Sequence, residues 1–389
     1  MSGVGRDGGD ALAILDRLIG FASVSRDGNM ALIRHVAALL DEAGIAYTLY
    51  PAKEGDRASL FATVGPDGPG GVVLSGHTDV VPVDGQSWSS DPFRLRERQG
   101  RLYGRGTADM KGFVACAIEA MLSAGRRRLR RPLHLALSYD EEIGCVGVRP
   151  MLEALARAGL KPDWVLVGEP TGMTVATGHK GKLAARATCS GCAAHSALAP
   201  TGLNAIHLAC DFVAALRALQ EEIAQGGARD AAYDIPYTTL HAGVIAGGTA
   251  LNIVPERCVV DFEIRNVTAD DPGRLMERLS AEAERIGAAG RQRFPASGIR
   301  IEVVNAYPGL EGGAHRQVVE RAAALSGRPG ERKLAFGTEG GLFAEALAVP
   351  VVVCGPGSMD QGHKADEYVS RQQIEACRAM LSRLVQDLG

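Results

Sequence analysis

The sequence lacks several features that would by themselves narrow its role. Its 389 residues include 42 basic and 45 acidic residues, so the formal net charge is only -3. This near balance gives no electrostatic reason to expect nucleic acid or an anionic membrane as a partner. No uninterrupted apolar stretch is long enough to span a bilayer, which predicts a chain without a membrane-spanning helix.

Cysteine is also sparse, with eight residues scattered along the chain rather than at the density of a disulfide scaffold. Cys189 and Cys192 form a lone CxxC pair, and no second pair at zinc spacing follows. We therefore interpret the pair as a turn of small residues. Residues 1–10, which include Arg6 and Asp7, lack the pattern of a secretory leader. Together these features predict the reducing cytoplasm.

What is present is the composition of a globular protein, with 46% hydrophobic and 22% charged residues, in a chain long enough for two domains. Through the first 180 residues, helical spacing over 31–43 and 112–124 alternates with strand-like runs at 72–74, 133–137 and 164–167. This alternation predicts an α/β domain with a mainly parallel sheet between helices.

The middle of the chain has a different pattern. Strand-like segments lie at 182–190, 238–245, 258–265 and 299–304, and helix-like segments lie at 204–224 and 272–289, the latter opened by Asp271 as its cap. The order β-α-β-β-α-β is that of a split βαβ, ferredoxin-like unit. We therefore predict an α/β domain formed by residues 1–180 and 307–389, with an inserted α+β domain at residues 181–306.

Five short polar clusters follow strand-like or apolar segments. They are residues 75–79 (SGHTD), 104–112 (GRGTADMKG), 139–142 (YDEE), 168–171 (GEPT) and 355–363 (GPGSMDQGH). Ligands of open α/β sheets bind beyond the carboxyl ends of the strands. Two histidines and several carboxylates would meet there, and the carboxylates would repel each other without cations. Imidazole and carboxylate without thiolate suit zinc, or cobalt and manganese as substitutes.

Each cluster alone also fits a structural role, because acidic pairs at strand ends are usually solvated. The joint pattern favours a metal site. His77 and Asp79 strengthen it, since residues two apart on an extended segment face the same side. A histidine held by a carboxylate is a common arrangement around a metal ligand.

The sequence resembles the dizinc aminoacylase, desuccinylase and glutamate-carboxypeptidase family. The stretches that carry the resemblance occur in the family's order over most of the chain: residues 75–93, 102–112, 138–147, 168–171, 194–206, 338–343 and 354–369. The resemblance implies a metal-binding catalytic domain with an inserted dimerisation or lid domain. It also implies a homodimer with two divalent metal ions per chain. Zinc is the preferred ion, and cobalt or manganese are the alternatives.

The resemblance also implies the role of each site residue. Five would be metal ligands: His77 and Glu169 on the first ion, Glu142 and His363 on the second, and Asp109 bridging both. Asp79 would orient His77, and Glu141 would be the general base. Adjacent Glu141 and Glu142 suit these two roles because neighbouring side chains diverge on an extended segment. His195, in the inserted domain, would donate to the oxyanion in the partner subunit's site.

Substrate contacts are expected in both parts of the chain. Arg265, at the end of a strand-like segment, suits bidentate pairing with an α-carboxylate, with a surface salt bridge as the alternative. Asn252, Gly337 and Thr338 resemble substrate contacts of the family. Glu339 faces either a substrate ammonium or a structural partner.

The function implied by the resemblance is metal-dependent hydrolysis of the N-acyl amide of an amino acid, with N-acetylornithine favoured. N-succinyl-diaminopimelate, other N-acyl amino acids and dipeptides remain alternatives, because sister enzymes have the same metal core. A non-catalytic protein that retains the metals and binds a ligand is a remote alternative, since Glu141 and all five ligands are present.

Overall fold

The computed structural model describes residues 10–389, and residues 1–9, on which most of the leader prediction rests, lie outside this range. The chain divides into two compact units. The first unit runs to Gly178 and resumes over Leu310–Lys333 and Thr338–Gly389, and the second consists of His179–Gly309 and Leu334–Gly337. These divisions lie beside the predicted boundaries at 180/181 and 306/307. The assignment of the units as catalytic and lid domains stays a prediction.

Strands and helices are numbered here in chain order. The strands are β1 (Tyr47–Pro51), β2 (Ala58–Val64), β3 (Val72–His77), β4 (Arg96–Arg98), β5 (Arg101–Tyr103), β6 (Leu133–Ser138), β7 (Trp164–Val167), β8 (Val175–His179), β9 (Gly181–Ser190), β10 (Thr239–Gly247), β11 (Arg257–Asn266), β12 (Gly298–Tyr307), β13 (Leu310–Glu311), β14 (Glu331–Leu334), β15 (Val351–Val353) and β16 (Tyr368–Ser370). The helices are α1 (Ala11–Ile19), α2 (Met30–Glu42), α3 (Lys111–Gly125), α4 (Val148–Arg157), α5 (Ala205–Gly226), α6 (Pro272–Arg291), α7 (Arg316–Ser326), α8 (Gly340–Leu347) and α9 (Arg371–Leu388). A short 3-10 helix spans Ser196–Thr201.

The main sheet of the first unit has the order β1-β2-β6-β3-β7-β15-β8-β13, and β14 pairs with β8. Its centre, from β6 through β3 and β7 to β15, is parallel. The pairs β1–β2, β2–β6 and β15–β8 are antiparallel. The predicted α/β fold with a mainly parallel central sheet is confirmed.

Burial explains how the central strands could be found from sequence. Every residue of β3, β6 and β7 is buried. Strands covered on both faces show continuous apolar runs rather than alternation. Helix α3 packs against β3 and β6 and also against α1 and α9. Because α3 is buried on nearly all sides, it fixes the position of Asp109, which lies two residues before it.

The second unit has its own antiparallel sheet, in the order β10-β11-β9-β12, with α5 and α6 packed on it. The chain order β9-α5-β10-β11-α6-β12 confirms the predicted β-α-β-β-α-β pattern. Asp271 caps α6 as predicted, since its Oδ1 accepts the N–H of Gly273 at 2.8 Å. Phe212 of α5 and Phe262 of β11 pack edge to face at 5.4 Å in a core separate from that of the first unit.

Two local interpretations were wrong. Cys189 lies within β9, and Cys192 forms a bridge with Leu203, so the CxxC pair is not a turn. Glu141 and Glu142 do not share an extended segment, because the N–H groups of Gly144 and Cys145 both donate to the carbonyl of Glu141 at 2.8 Å and close a turn there. All eight cysteines are free. Among the helices of residues 10–389, none is long and apolar enough to cross a membrane.

Candidate metal centre

Four of the five polar clusters follow the four parallel strands of the main sheet, and the cluster at residues 104–112 follows β5 and leads into α3. His77 is the last residue of β3, Glu141 and Glu142 follow β6, Glu169 follows β7, and His363 lies in the segment after β15. Because these strands are parallel neighbours, their carboxyl ends meet at one edge of the sheet. The sheet thus collects side chains that are far apart in sequence.

Asp109 lies between the two histidines. Its Oδ1 is 3.0 Å from His77 Nε2, and its Oδ2 is 3.0 Å from His363 Nε2. The loop before it turns at Gly106, where φ is +85° and a Cβ would lie 2.7 Å from a methyl of Val80. Only glycine fits this turn. One carboxylate facing two imidazoles is the arrangement that a bridging ligand requires.

Two further carboxylates accompany the histidines. Glu142 Oε2 lies 3.1 Å from His363 Nε2, and Glu169 Oε1 lies 3.9 Å from His77 Nε2. Donor atoms of His77, Asp109 and Glu142 lie within 4.8 Å of one another, and so do those of His77, Glu141 and Glu169. The donor set therefore fits divalent cations, although proximity alone does not separate a base from a ligand at Glu141.

The backbone around His77 selects the tautomer that a metal ligand needs. His77 Nδ1 lies 2.9 Å from the carbonyl oxygen of Asp79. A carbonyl only accepts hydrogen bonds, so Nδ1 carries the hydrogen and the lone pair of the neutral ring is on Nε2, toward Asp109. The Asp79 carboxylate lies farther from Nδ1, at 3.5 Å. Asp79 thus contacts His77 first through its backbone.

The carboxylate of Asp79 also accepts hydrogen bonds from the turn that follows β6. It accepts the hydroxyl of Ser25 at 2.7 Å and the N–H groups of Glu141 and Glu142 at 3.1 and 3.3 Å. Asp79 therefore anchors the turn that carries both glutamates. Ser25 was missed in the sequence because it lies 54 residues before Asp79 and outside every polar cluster.

The carboxyl groups of the centre have perturbed ionisation. Burial raises the pKa of Glu141 and Glu169 well above the ordinary value, and neighbouring carboxylates add to the effect. Burial and Asp109 raise the pKa of Glu142 to about 7. Burial opposes ionisation of Asp109 too, but hydrogen bonds from His363 and His77 lower its pKa.

The pKa values of both histidines are also raised, because their acidic neighbours favour the charged ring. Hydrogen bonds to Asp109 and Glu142 raise the pKa of His363 to about 10. Burial disfavours the charged ring of His77, yet Asp109 and Asp79 raise its pKa well above the ordinary value. A buried group of carboxylates that retains protons in this way is a place where added positive charge is stabilised.

The thiol of Cys145 also belongs to this centre and was not singled out in the sequence. It is buried and donates to Glu141 Oε1 at 3.3 Å. Its only sequence signal is its position four residues after Glu141, inside the 138–147 stretch. The thiol restricts the orientation of the Glu141 carboxylate.

In the second unit, His195 and Asn252 lie on two paired loops. Ser196 N–H donates to the Asn252 carbonyl at 3.0 Å, and Val254 N–H donates to the Ala194 carbonyl at 2.8 Å. Both His195 and Asn252 are exposed.

A backbone contact also fixes the hydrogen of the His195 ring. The N–H of Ala197 donates to His195 Nδ1 at 3.1 Å. In the neutral ring the hydrogen is therefore on Nε2. His195 presents a ring N–H donor on an exposed surface of the second unit.

Arg265 and Gly337 meet at Tyr307, which the sequence did not single out. Arg265 Nη1 donates to the Tyr307 hydroxyl at 3.0 Å, and its Nε donates to Glu263 at 3.1 Å. A Cβ on Gly337 would lie 2.1 Å from the Tyr307 ring. Two of the expected substrate contacts are thus neighbours within the second unit, while the Glu263 contact also fits the salt-bridge alternative.

Thr338 and Glu339 have local partners in the first unit. Thr338 Oγ1 accepts the N–H of Gly340 at 2.9 Å, at the start of α8. Glu339 is 1% exposed and accepts the Ser75 hydroxyl at 3.3 Å. Burial raises the pKa of Glu339 to about 7. These contacts favour the structural alternative for Glu339, and contact of either residue with substrate stays a prediction.

A sequence model of Peptidase family M20/M25/M40 matches residues 73–387, which include all five predicted metal ligands and Glu141. The chain belongs to this family. Acetylornithine deacetylase of Pasteurella multocida (strain Pm70) is 34% identical over 362 residues, which are 92% of this chain and 91% of that protein. Acetylornithine deacetylase of Photorhabdus laumondii subsp. laumondii is 34% identical over 358 residues, which are 92% of this chain and 90% of that protein.

The fold agrees with this membership. An M20 family metallo-carboxypeptidase from Sulfolobus solfataricus superposes with a TM-score of 0.79 over 97% of this chain and 98% of that chain, at 19% identity. At 19% identity, this structural similarity supports the fold and not the activity. The M20 family is metal-dependent, and this member is a hydrolase of that family with a site that fits two metal ions.

Proposed function

We propose that this chain is an acetylornithine deacetylase, which hydrolyses N-acetyl-L-ornithine to L-ornithine and acetate in arginine biosynthesis. The names of the relatives at 34% identity support the substrate. The chemistry rests on one observation: the Asp109 carboxylate lies 3.0 Å from both His77 and His363. Glu141 lies in the same cluster of donor atoms.

In this proposal, five residues would hold two ions: His77 and Glu169 the first, Glu142 and His363 the second, and Asp109 both. Zinc suits these nitrogen and oxygen donors, and cobalt or manganese would substitute for it. When bound, such ions polarise the amide carbonyl and lower the pKa of the attacking water.

Glu141 acts as the general base and then as the general acid. Its carboxylate accepts a proton from the attacking water, whose oxygen adds to the amide carbon. Glu141 then gives this proton to the amide nitrogen as the C–N bond breaks. Cys145 and the Asp79-anchored turn keep the carboxylate oriented.

His195 of the partner subunit donates from Nε2 to the oxygen of the tetrahedral intermediate. The proposal is supported by its exposure and by the Ala197 N–H that fixes its tautomer. A homodimer is supported by the edges of the second unit's sheet. Strands β10 and β12 each pair on one side only, and Ile245 and Val303 on them are 53% and 56% exposed. Apolar edge strands favour burial against a second copy.

The substrate's α-carboxylate binds Arg265, whose guanidinium is presented beside Tyr307. Asn252, Gly337 and Thr338 are the remaining proposed contacts. Glu339 is retained as the proposed partner of the substrate ammonium. Its burial and its bond from Ser75 make it the weakest member of this set.

A substrate panel tests the proposed function. Zinc-loaded protein is assayed with N-acetyl-L-ornithine, N-succinyl-diaminopimelate, N-acetyl-methionine and a dipeptide. The expected result is the highest kcat/KM for N-acetyl-L-ornithine. A higher value for another compound would move the assignment to the corresponding sister activity. Failure to hydrolyse any of them, with metals bound, would favour the non-catalytic binding protein.

A further inference from the structure

A buried ion pair joins the loop that carries Asp109 to the loop that carries His363. Arg105 Nη1 donates to Glu367 Oε2 at 2.7 Å, and each side chain is only 1% exposed. Arg105 lies four residues before Asp109, and Glu367 lies four residues after His363. Neither is among the proposed ligands, and the proposed chemistry leaves both without a role.

The second oxygen of Glu367 holds the backbone at Asp109. Glu367 Oε1 accepts the N–H groups of Ala108 at 2.9 Å and Asp109 at 3.1 Å. The main-chain carbonyl of Glu367 accepts the N–H of Gly104 at 3.0 Å. Buried N–H groups are costly to leave without an acceptor, so this carboxylate restricts where the Asp109 loop lies.

The two terminal nitrogens of Arg105 also connect it to the segment around His363. Nη1 also donates to the carbonyl of Lys364 at 3.3 Å, and Nη2 donates to Gln86 Oε1 at 2.5 Å. Gln86 Nε2 in turn donates to the carbonyl of His363 at 3.0 Å. The ring of Trp88 lies 5.0 Å from the guanidinium and limits its movement. Arg105 therefore contacts the His363 loop directly and through Gln86.

We propose that Arg105 and Glu367 are a positioning pair that holds Asp109 and His363 at the separation needed to bind the second metal ion. This inference rests on the proposed two-metal function. A buried ion pair is by itself weak evidence for stability, because desolvation offsets its attraction. Here the hydrogen bonds that the pair makes beyond itself reach the backbone next to two ligands. His363 also has a φ of +60°, a left-handed conformation that its surroundings must maintain.

Cobalt titration of metal-free protein tests the pair, with visible absorption and calorimetry as readouts. Glu367→Gln keeps the side-chain size but leaves Arg105 without an anionic partner. It is expected to weaken binding of the second cobalt ion by about 10–100-fold, as loss of a residue that supports a ligand does, and to shift the cobalt absorption band. Gln86→Ala removes one arm of the network at a half-buried residue and should cause a smaller change in the same direction.

The matched control is Glu119→Gln, which breaks the 2.6 Å ion pair between Glu119 and Arg378 in the same unit. It should lower the melting temperature and leave both cobalt affinities and the spectrum as in the wild type. A purely structural role for Arg105 and Glu367 would give the same result in Glu367→Gln.

Wild-type cobalt affinities and spectra in Glu367→Gln and Gln86→Ala would overturn the positioning role. If Glu367→Gln does not fold, Gln86→Ala decides alone: unchanged affinity for the second ion rejects the proposal. A wild-type protein that binds fewer than two cobalt ions would instead contradict the two-metal function. The two failures are therefore distinguishable.

Discussion

The two units hold their candidate residues in different ways. In the first unit, His77, Asp109 and Glu169 are buried and approach one another through their side chains. In the second, His195 and Asn252 are exposed, and their loops are joined through the backbone. Converging imidazole and carboxylate donors suit the binding of divalent cations. Outward-facing donors suit a substrate or a partner subunit.

The largest loss of activity is expected when the proposed base of the first unit is removed and its metal-binding donors are kept. Glu141→Gln should retain the metals and the fold but lower kcat by about 10²–10⁴-fold or more, because proton transfer is lost. Metal analysis and steady-state kinetics of the same preparation check this. Glu141→Asp, which retains a carboxylate at the wrong distance, should keep a little activity. A near-normal kcat in Glu141→Gln would remove Glu141 from the role.

The next effect concerns the second unit. His195→Ala should lower kcat by roughly 10²–10³-fold, the effect of losing an oxyanion donor, with little change in metal content. Kinetics and metal analysis measure the two quantities. Unchanged kcat would leave His195 as a surface residue.

Mixing the two inactive variants tests whether His195 acts in the partner subunit's site. A dimer of one His195→Ala chain and one Glu141→Gln chain contains one site with intact Glu141 from the first chain and intact His195 from the second. Activity should therefore reappear when the inactive variants exchange subunits. If an independent label shows exchange and activity stays absent, His195 does not act across the subunit boundary.

The smallest effect is expected at Arg265. Loss of a hydrogen bond to a charged group is worth about 1.5–3 kcal/mol, so Arg265→Met should raise KM for N-acetyl-L-ornithine by roughly 10–100-fold. The matched control is Glu263→Gln, which removes the partner of the Arg265 Nε but keeps the guanidinium. Equal losses of stability in both variants with unchanged KM would support the salt-bridge alternative.

The residues that could be predicted from the sequence are those that belong to a local sequence pattern. Buried parallel strands such as β3 and β7 appear as apolar runs, and the polar residues after them appear as clusters. Asp271 could be predicted as a cap because capping needs only its neighbours in the chain. Elements at the antiparallel edge of the sheet, β1 and β2, were not predicted, and β1 carries no continuous apolar signal.

The residues that sequence could not find are those defined by distant partners. Glu367 contacts Arg105 across 262 positions, and Ser25 contacts Asp79 across 54. No local pattern reports such a pair. The roles of His195 and Asn252 came only from family resemblance, because an exposed histidine in a loop of small residues has no physical signal of its own. Tyr307 lies beside Arg265 and Gly337 only because the fold brings these distant residues together.

The central claim, that the converging donors of the first unit form a two-metal hydrolytic centre, is tested most directly by metal removal and return. Protein is freed of metal with a chelator, its metal content is verified by elemental analysis, and hydrolysis of N-acetyl-L-ornithine is measured as zinc or cobalt is added. We predict no activity without metal and full recovery at about two ions per chain, because each ion in the proposed site would have a histidine, a glutamate and the shared Asp109 as ligands. Full activity in verified metal-free protein would contradict the account.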